Sequence, residues 1–359
     1  MPDWLPNRIP ASANSPVPKS EGPGAPLTKE NALKTVATRL SQIDVIILAQ
    51  LKTSDGNMLR NQIVALLSLA ITLSRPSFGQ ASMQAAELHS WPHVSLNVLV
   101  VNKSDEPQAP LDKDAFHILE DGAERPIESV IPGEAPVSLA LLIDTSGSTY
   151  GNHVATLGVA TAVVRALPPG SEVMAVLFAD KAYIDLPFTP AEPAPLEFLH
   201  WLDSRGATGF YDALVATEDY IAAKAHNAKR ALLVLSDGND NASTLNLQQA
   251  LHKIQQEPGA PTIYFVDTPE ARPKLGEKRH SLRVASLVTS VCGGGVVAPD
   301  KHYDGAALGV SVAALIRSQY VLTFAAAAAL DEKFRKLEVR VDPANLEARA
   351  ASGYFPQTH

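Results

Sequence analysis

The chain has 359 residues, enough for two or three domains, and its 46% hydrophobic and 19% charged residues are typical of a globular protein. A formal net charge of −8, with no stretch rich in lysine and arginine, excludes the basic surface that a nucleic-acid partner requires. The single cysteine, Cys292, excludes an intrachain disulfide. Because it stands beside an apolar helical stretch, we interpret it as a buried small side chain.

Residues 58–81 have the order of a secretory signal. Met58 and Arg60 precede an apolar run at residues 63–73, and Gly79 and Ala81 supply the small side chains that a signal peptidase reads. The run is shorter than the roughly 20 residues that span a bilayer. A buried helix and an uncleaved membrane anchor remain as alternatives.

Residues 1–57 precede this segment, although a secretory signal normally stands at the amino terminus. Residues 1–28 are rich in Pro, Ser, Asn and Gly, which is typical of disorder, and residues 29–52 carry apolar side chains near helical spacing. Our hypothesis is that translation starts at Met58 and that residues 1–57 are disordered or a spurious extension. The mature chain is then expected to be secreted, or to lie in the periplasm or cell envelope, with no integral membrane span.

Residues 92–134 are predicted to form a small β unit. Apolar side chains alternate over residues 94–101, and Phe116–Glu120 has the pattern of a second strand. Asp121-Gly122 is a strong hairpin signal, so Ile127–Ile131 is expected to return as the partner of the second strand.

From residue 136 to residue 318 the pattern changes to alternating strands and helices. The apolar run at residues 137–143 is typical of a central parallel strand that is buried on both faces. Further strands are predicted at residues 172–178, 231–235, 262–266 and 295–298, and helices at residues 153–167, 196–202, 211–225, 247–255, 280–290 and 306–318. This alternation predicts an α/β fold, a doubly wound and mostly parallel sheet with helices on both faces.

Strand patterns return in residues 319–356, at residues 320–324, 337–341 and 348–354. We expect this C-terminal segment to pair with the β unit of residues 92–134. The two flanks would then form one small β module beside the α/β domain.

Oxygen-bearing side chains follow two of the predicted strands and one loop of the α/β domain. Asp144, Ser146 and Ser148 come directly after the central strand, and Asp237 follows the strand at residues 231–235. Thr208 stands in a glycine-flanked loop just before a helix. Because ligands of open α/β sheets bind at the carboxyl ends of the strands, we expect these oxygens to meet, with Gly147 allowing the first loop to turn. Carboxylates and hydroxyls are the ligands that hard divalent cations prefer.

This three-part pattern resembles the metal-ion-dependent adhesion site of von Willebrand factor type A and integrin I domains, over roughly residues 136–318. The resemblance implies a Rossmann-like domain in which Ser146 and Ser148 ligate the metal directly and Asp144 holds it through water or directly. It implies that Thr208 is the ligand whose distance changes between open and closed states, and that Asp237 is the second carboxylate. The flanks, at residues 116–122, 317–322 and 353–355, resemble bacterial VWFA-related secreted proteins, which are abundant in Acidobacteria.

The resemblance implies Mg²⁺, or Mn²⁺ or Ca²⁺, as the bound ion and a protein partner that completes its coordination with an Asp or Glu carboxylate. We therefore expect a secreted or envelope-associated adhesion module and no enzyme, since the predicted site contains no His, Lys or activated nucleophile. A metal-free structural component of the envelope, or a hydrolase using Asp144 and Asp237 as an acid–base pair, are the alternatives.

Three other features are not assigned a functional site of their own. The segment that starts at Asp237 lacks the Gly and Glu that an EF-hand requires at its sixth and twelfth positions, where Ala242 and Gln248 stand. The glycines at residues 293–295 lack the Lys-Ser/Thr of a phosphate-binding loop and indicate a turn into the last strand. Asp212 is interpreted as a residue of a helix's first turn or an acceptor behind the metal site.

Overall fold

The computed structural model describes residues 93–107, 110–149, 151–192, 206–256, 259–268, 275–299, 303–327 and 333–356. The predicted signal at residues 58–81, the extension at residues 1–57 and the helix at residues 196–202 lie outside the described residues. Among the described residues, no helix has the length and apolar character needed to cross a lipid bilayer.

Fourteen strands and five helices are numbered here in chain order within the described residues. The strands are β1 His93–Asn102, β2 Phe116–Glu120, β3 Ala123–Arg125, β4 Ile127–Ile131, β5 Val137–Asp144, β6 Glu172–Phe178, β7 Ala182–Pro190, β8 Lys229–Ser236, β9 Thr262–Asp267, β10 Gly294–Val297, β11 Gln319–Ala325, β12 Arg335–Val341, β13 Leu346–Ala350 and β14 Gly353–Tyr354. The helices are α1 His153–Arg165, α2 Phe210–Lys224, α3 Leu247–Ile254, α4 Leu275–Cys292 and α5 Gly305–Arg317.

A six-stranded sheet in the order β10-β9-β8-β5-β6-β7 forms the centre of the α/β domain. Strand β5 pairs in parallel with both β6 and β8, and all eight of its residues are buried. The prediction of a mostly parallel sheet with the apolar run near its middle is confirmed. Since the chain leaves β5 towards β6 and later enters β8 on the opposite side, the sheet has its topological switch point between β5 and β8.

Successive residues of β5 face two separate hydrophobic clusters, which is why the strand is apolar throughout. Leu139 and Leu141 contribute to the cluster that contains the buried side chains of α1 and α5. Ala140 and Leu142 contribute to the cluster that contains those of α2, α3 and α4. Helices therefore cover both faces of the sheet, as the sequence predicts.

Strand β7 is an antiparallel edge strand that the sequence does not predict. Its side chains are mostly exposed or half-buried, and Pro187 and Pro190 have no backbone N–H to donate to a neighbouring strand. Such a strand lacks both the apolar run of a buried strand and the regular alternation of a half-buried one. The local pattern consequently carried no strand signal.

The two flanks pair with each other, as expected. Strand β1 pairs antiparallel with β11, and β2 pairs antiparallel with β12. The result is two four-stranded sheets, β13-β1-β11-β4 and β14-β12-β2-β3, whose buried side chains share one hydrophobic cluster. Phe116 of β2 and Tyr320 of β11 meet across the two sheets with ring centroids 5.1 Å apart. The flanks thus form a small β sandwich.

Two predictions inside this sandwich are wrong. The partner of β2 across the Asp121-Gly122 turn is the short strand β3, and Ile127–Ile131 instead pairs with β11 in the other sheet. Pro126, which has no backbone donor, separates β3 from β4, where the chain crosses between sheets. Likewise, the strand predicted at residues 348–354 is divided into β13 and β14, which belong to different sheets.

Candidate metal centre

The loop after β5 brings Ser146 and Ser148 together. Their Oγ atoms lie 3.1 Å apart at the start of a single 3-10 turn, Gly147–Thr149. Thr149 closes this turn, since its hydroxyl donates to the carbonyl oxygens of Ser146 at 2.9 Å and of Asp144 at 3.2 Å. Ser146 is buried and Ser148 is half-buried, so the pair of hydroxyls opens towards solvent on the Ser148 side.

Asp144 ends β5 with a buried carboxylate that accepts two hydrogen bonds. The Ser146 amide donates to Oδ1 at 2.9 Å, and the Ser236 hydroxyl donates to Oδ2 at 2.6 Å. Burial raises the pKa of the Asp144 carboxyl to about 6. The hydrogen bonds from Ser146 and Ser236 oppose this shift, and the charge of Asp237 adds to it. The sheet edge therefore concentrates negative charge away from water.

Asp237 follows β8 on the opposite side of the switch point. Its Oδ1 accepts a hydrogen bond from the Asn239 amide at 3.0 Å. Its Oδ2 is buried and has no hydrogen-bond partner among the described residues. A buried carboxylate oxygen without a partner is costly, because burial removes the water that would otherwise solvate it. Oδ2 is thus a buried acceptor whose hydrogen-bonding capacity the described residues leave unused.

Thr208 lies buried in the loop before α2, next to the first loop. The Gly147 amide is 3.4 Å from the Gly206 carbonyl oxygen, which links the two loops. Phe210, the first residue of α2, is fully buried between the rings of Phe178 and Phe265. This aromatic cluster fixes the start of α2 beneath the sheet edge, and with it the position of Thr208.

A polar clasp joins Thr208 to the segment that follows Asp237. The Asn241 side chain accepts a hydrogen bond from the Thr208 amide at 2.8 Å, and the Asn241 amide donates to the Thr208 carbonyl at 2.9 Å. Asp240 accepts from the amide of Tyr211 at 3.0 Å and from the hydroxyl of Ser243 at 2.5 Å. Two proposed ligands from distant parts of the sequence are therefore held on one hydrogen-bonded unit.

The structure brings all five predicted site residues, Asp144, Ser146, Ser148, Thr208 and Asp237, to the carboxyl edge of the sheet around the switch point. Sequence reasoning missed Ser236 and Asn241, which hydrogen-bond to this set. Only the placement of Ser236 beside Asp237 at the end of an apolar strand was visible in the sequence.

The sequence predicts that Gly147 lets the first loop turn. Its φ is not positive, unlike that of Gly206 at +86°, so the turn does not require the left-handed conformation that favours glycine. A Cβ added at Gly147 would contact the Gly206 carbonyl oxygen at 3.7 Å, which is ordinary van der Waals contact. The 3-10 turn itself, closed by Thr149, bends the loop.

The other interpreted residues have structural roles. Asp212 lies in the first turn of α2 and accepts hydrogen bonds from the amides of Thr244 and Leu245 and from the Thr244 hydroxyl. Although burial works to raise the pKa of Asp212, these hydrogen bonds outweigh it and hold the pKa below its usual value. Cys292 is buried, and burial raises its thiol pKa well above the ordinary value, as expected of an inert side chain.

Within the described ranges, no group of three or more His, Cys, Asp or Glu side chains is arranged to hold a metal ion. A cation at the sheet edge would therefore depend on hydroxyl oxygens together with the two carboxylates. This donor set suits a hard cation such as Mg²⁺, Mn²⁺ or Ca²⁺.

Comparison with known proteins agrees with the fold. Residues 139–239 match the family model of the von Willebrand factor type A domain, a segment that includes all five residues of the candidate site. The chain therefore contains a von Willebrand factor type A domain. No curated protein sequence is significantly similar to it.

Solved structures to which the chain is similar include two bacterial proteins and one from Plasmodium vivax. The von Willebrand factor type A protein from Catenulispora acidiphila is 12% identical, with 68% of this chain and 74% of that chain covered at a TM-score of 0.40. Manganese-loaded TRAP protein from Plasmodium vivax is 11% identical, with 67% and 99% covered at a TM-score of 0.39. The PilB minor pilin from Streptococcus sanguinis is 9% identical, with 54% and 63% covered at a TM-score of 0.42.

Proposed function

We propose that this chain is a metal-ion-dependent protein-binding module, secreted or associated with the cell envelope, and that it is not an enzyme. Mg²⁺, or Mn²⁺ or Ca²⁺, would be held by the metal-site residues Asp144, Ser146, Ser148, Thr208 and Asp237. The match to the von Willebrand factor type A domain supports the class of protein.

The observation that supports the metal site is the buried Oδ2 of Asp237, which has no hydrogen-bond partner in the part of the chain that the structure describes. It lies at the same sheet edge as Asp144, whose pKa is raised to about 6 by burial and by the charge of Asp237. Among the described residues, the hydrogen bonds to these two carboxylates come from amides and a hydroxyl, and none from Lys or Arg. A divalent cation would neutralise both carboxylates and give Oδ2 its missing partner.

The same geometry supports a partner that presents an Asp or Glu carboxylate. Two carboxylates and three hydroxyls leave at least one position of an octahedral shell to water or to a partner. Gly147 is exposed and Ser148 half-buried, so that position would face solvent. If the hydroxyls contact the ion directly and the carboxylates hold it through water, the ion keeps much of its positive charge, which favours an anionic ligand from the partner. A metal-free structural role and hydrolysis remain the alternatives to be tested.

Calorimetric titration of the full chain with Mn²⁺ tests the site. We expect Asp237→Asn to weaken Mn²⁺ binding by at least about tenfold, because one of the two carboxylates around the ion becomes a neutral amide. Glu172→Gln is the matched control, since Glu172 is also a buried carboxylate of this sheet, at its opposite edge, and accepts a hydrogen bond from Ser138 at 2.5 Å. Equal Mn²⁺ affinities in the two variants, or no binding by the unaltered chain, would refute the site.

A further inference from the structure

Ser236, the last residue of β8, has its hydroxyl bonded to one carboxylate of the proposed metal site and to the turn that carries the other. It is fully buried, although a buried hydroxyl requires hydrogen-bond partners of its own. Its Oγ donates to Oδ2 of Asp144 at 2.6 Å and accepts from the amide of Gly238 at 3.0 Å. One side chain thus contacts both strand ends that border the switch point.

We propose that Ser236 is a positioning residue that fixes both carboxylates of the metal site and so determines its affinity for a divalent cation, without touching the ion. This inference rests on the proposed function of the same site. It assigns the orientation of Asp144 and the placement of Asp237 to a single hydroxyl.

The hydrogen bond to Asp144 fixes the plane of its carboxylate. With the Ser146 amide on Oδ1 and the Ser236 hydroxyl on Oδ2, rotation of the carboxylate about its Cβ–Cγ bond would break one or both hydrogen bonds. Bonds from a hydroxyl to a charged carboxylate are short and stronger than those between neutral groups. Asp144 is therefore presented to a cation in one orientation, before the cation arrives.

The hydrogen bond from Gly238 fixes the turn that carries Asp237. Gly238 has a φ of +69°, and a Cβ at this position would lie 3.1 Å from Oγ of Ser281. The Ser236 side chain closes the turn by accepting the amide two residues ahead, a local bond typical of serine. Without the hydroxyl, the Gly238 amide would lose its acceptor and Oδ2 of Asp144 would lose its donor. Both carboxylates would then be free to move.

Ser138 provides a matched control at the opposite edge of the same sheet. It is fully buried, and its hydroxyl donates to Oε1 of Glu172 at 2.5 Å and accepts from the amide of Asn227 at 3.0 Å. The local chemistry is that of Ser236, but Ser138 stands six residues before Asp144 on β5, about 20 Å away at the usual rise of a strand. If Mn²⁺ affinity falls merely because a buried hydroxyl is missing, substitution of either serine should therefore lower it to the same extent.

The experiment is Mn²⁺ titration of the full chain by calorimetry, with thermal unfolding of each metal-free variant as a measure of folding. Removal of a group that orients a metal ligand typically lowers metal affinity by about 10–100-fold. We expect that loss in Ser236→Ala, recovery to within about threefold of the unaltered chain in Ser236→Thr, and unchanged affinity in Ser138→Ala.

An affinity of Ser236→Ala within about twofold of the unaltered chain would overturn the positioning role while leaving the metal site intact. An equal loss in Ser138→Ala would overturn it as well. Absence of Mn²⁺ binding by the unaltered chain would overturn the proposed function, and this inference with it. If Ser236→Ala does not fold, Ser236→Cys takes its place in the same Mn²⁺ titration, because the thiol is close in size to the hydroxyl but donates only weak hydrogen bonds. The same outcomes then apply.

Discussion

Individual residues of this domain carry charge in places where burial makes charge costly. Asp144 and Asp237 do so at the carboxyl edge of the sheet, and Lys229 does so at the start of β8, near the amino edge. Lys229 donates to the carbonyl of Gly133. Burial lowers the pKa of its ammonium to about 7, the charge of Glu134 opposes this shift, and that of Arg317 adds to it. Lys229 is consequently a buried amine that the fold holds close to the neutral form.

Lys229 should make stability depend on pH between 7 and 9. In this window the folded chain holds Lys229 mostly neutral, while the unfolded chain, with the ordinary pKa of 10.5, holds it protonated. The unfolded state then binds more protons, so the free energy of unfolding should rise with pH, by at most about 1.4 kcal/mol per pH unit. Above pH 9 the thiol of Cys292, whose pKa is raised in the folded chain, acts in the opposite direction.

Urea unfolding of Lys229→Met at pH 7, 8 and 9 measures this dependence. The rise should be smaller in Lys229→Met than in the unaltered chain, because methionine has nothing to titrate. Lys224→Met is the control, since Lys224 is exposed at the end of α2. If all three proteins show the same slope with pH, Lys229 is protonated throughout and the expected shift in its pKa is absent.

At the scale of elements, the central strand was predictable and the clasp around Thr208 was not. Strand β5 is buried on both faces, and burial on both faces requires the continuous apolar run that is visible in the sequence. Strand β7, on the edge, and Asn241, whose partner lies 33 residues away, are determined by tertiary contacts that leave no local pattern. The position of the proposed site residues at the sheet edge was predictable because each stands where a strand or a glycine-flanked loop ends, but the hydrogen bonds that support them were not.

The clasp gives a prediction about Asn241. In Asn241→Ala the buried Thr208 amide loses its acceptor, and we expect the free energy of unfolding to fall by about 1–2 kcal/mol. Asn239→Ala, in the same segment, is the control because the hydrogen bond that Asn239 donates to Asp237 comes from its backbone amide, which the substitution keeps. Urea denaturation midpoints of the two variants provide the comparison, and an equal midpoint for both would mean that the clasp contributes nothing to stability.

For the whole molecule, the β sandwich and the α/β domain are joined by a buried polar network. All described residues belong to one unit, Ser77–His359. Gln319, at the start of β11, donates to the side chain of Asn97 at 2.7 Å and to the carbonyl of Arg230 at 2.8 Å, and accepts from the hydroxyl of Tyr264 at 3.2 Å. Asn97 itself donates to the carbonyl of Ala260 at 3.1 Å. The network joins β1 and β11 of the sandwich to β8 and β9 of the α/β sheet.

A network of this kind should make the two parts unfold together. In Gln319→Ala the carbonyl of Arg230 and the amide side chain of Asn97 each lose a buried partner, and a cavity is left. The free energy of unfolding should therefore fall by about 2–4 kcal/mol. Since Gln319 contacts both parts, amide hydrogen exchange should accelerate by the same factor in β1 and in β8. Thr323→Val is the control, because Thr323 is a buried residue of the same strand, 3.4 Å from Ser95 of β1 within the sandwich. Faster exchange confined to β1 in Gln319→Ala would show that the sandwich opens independently, and that the α/β domain can unfold or move without it.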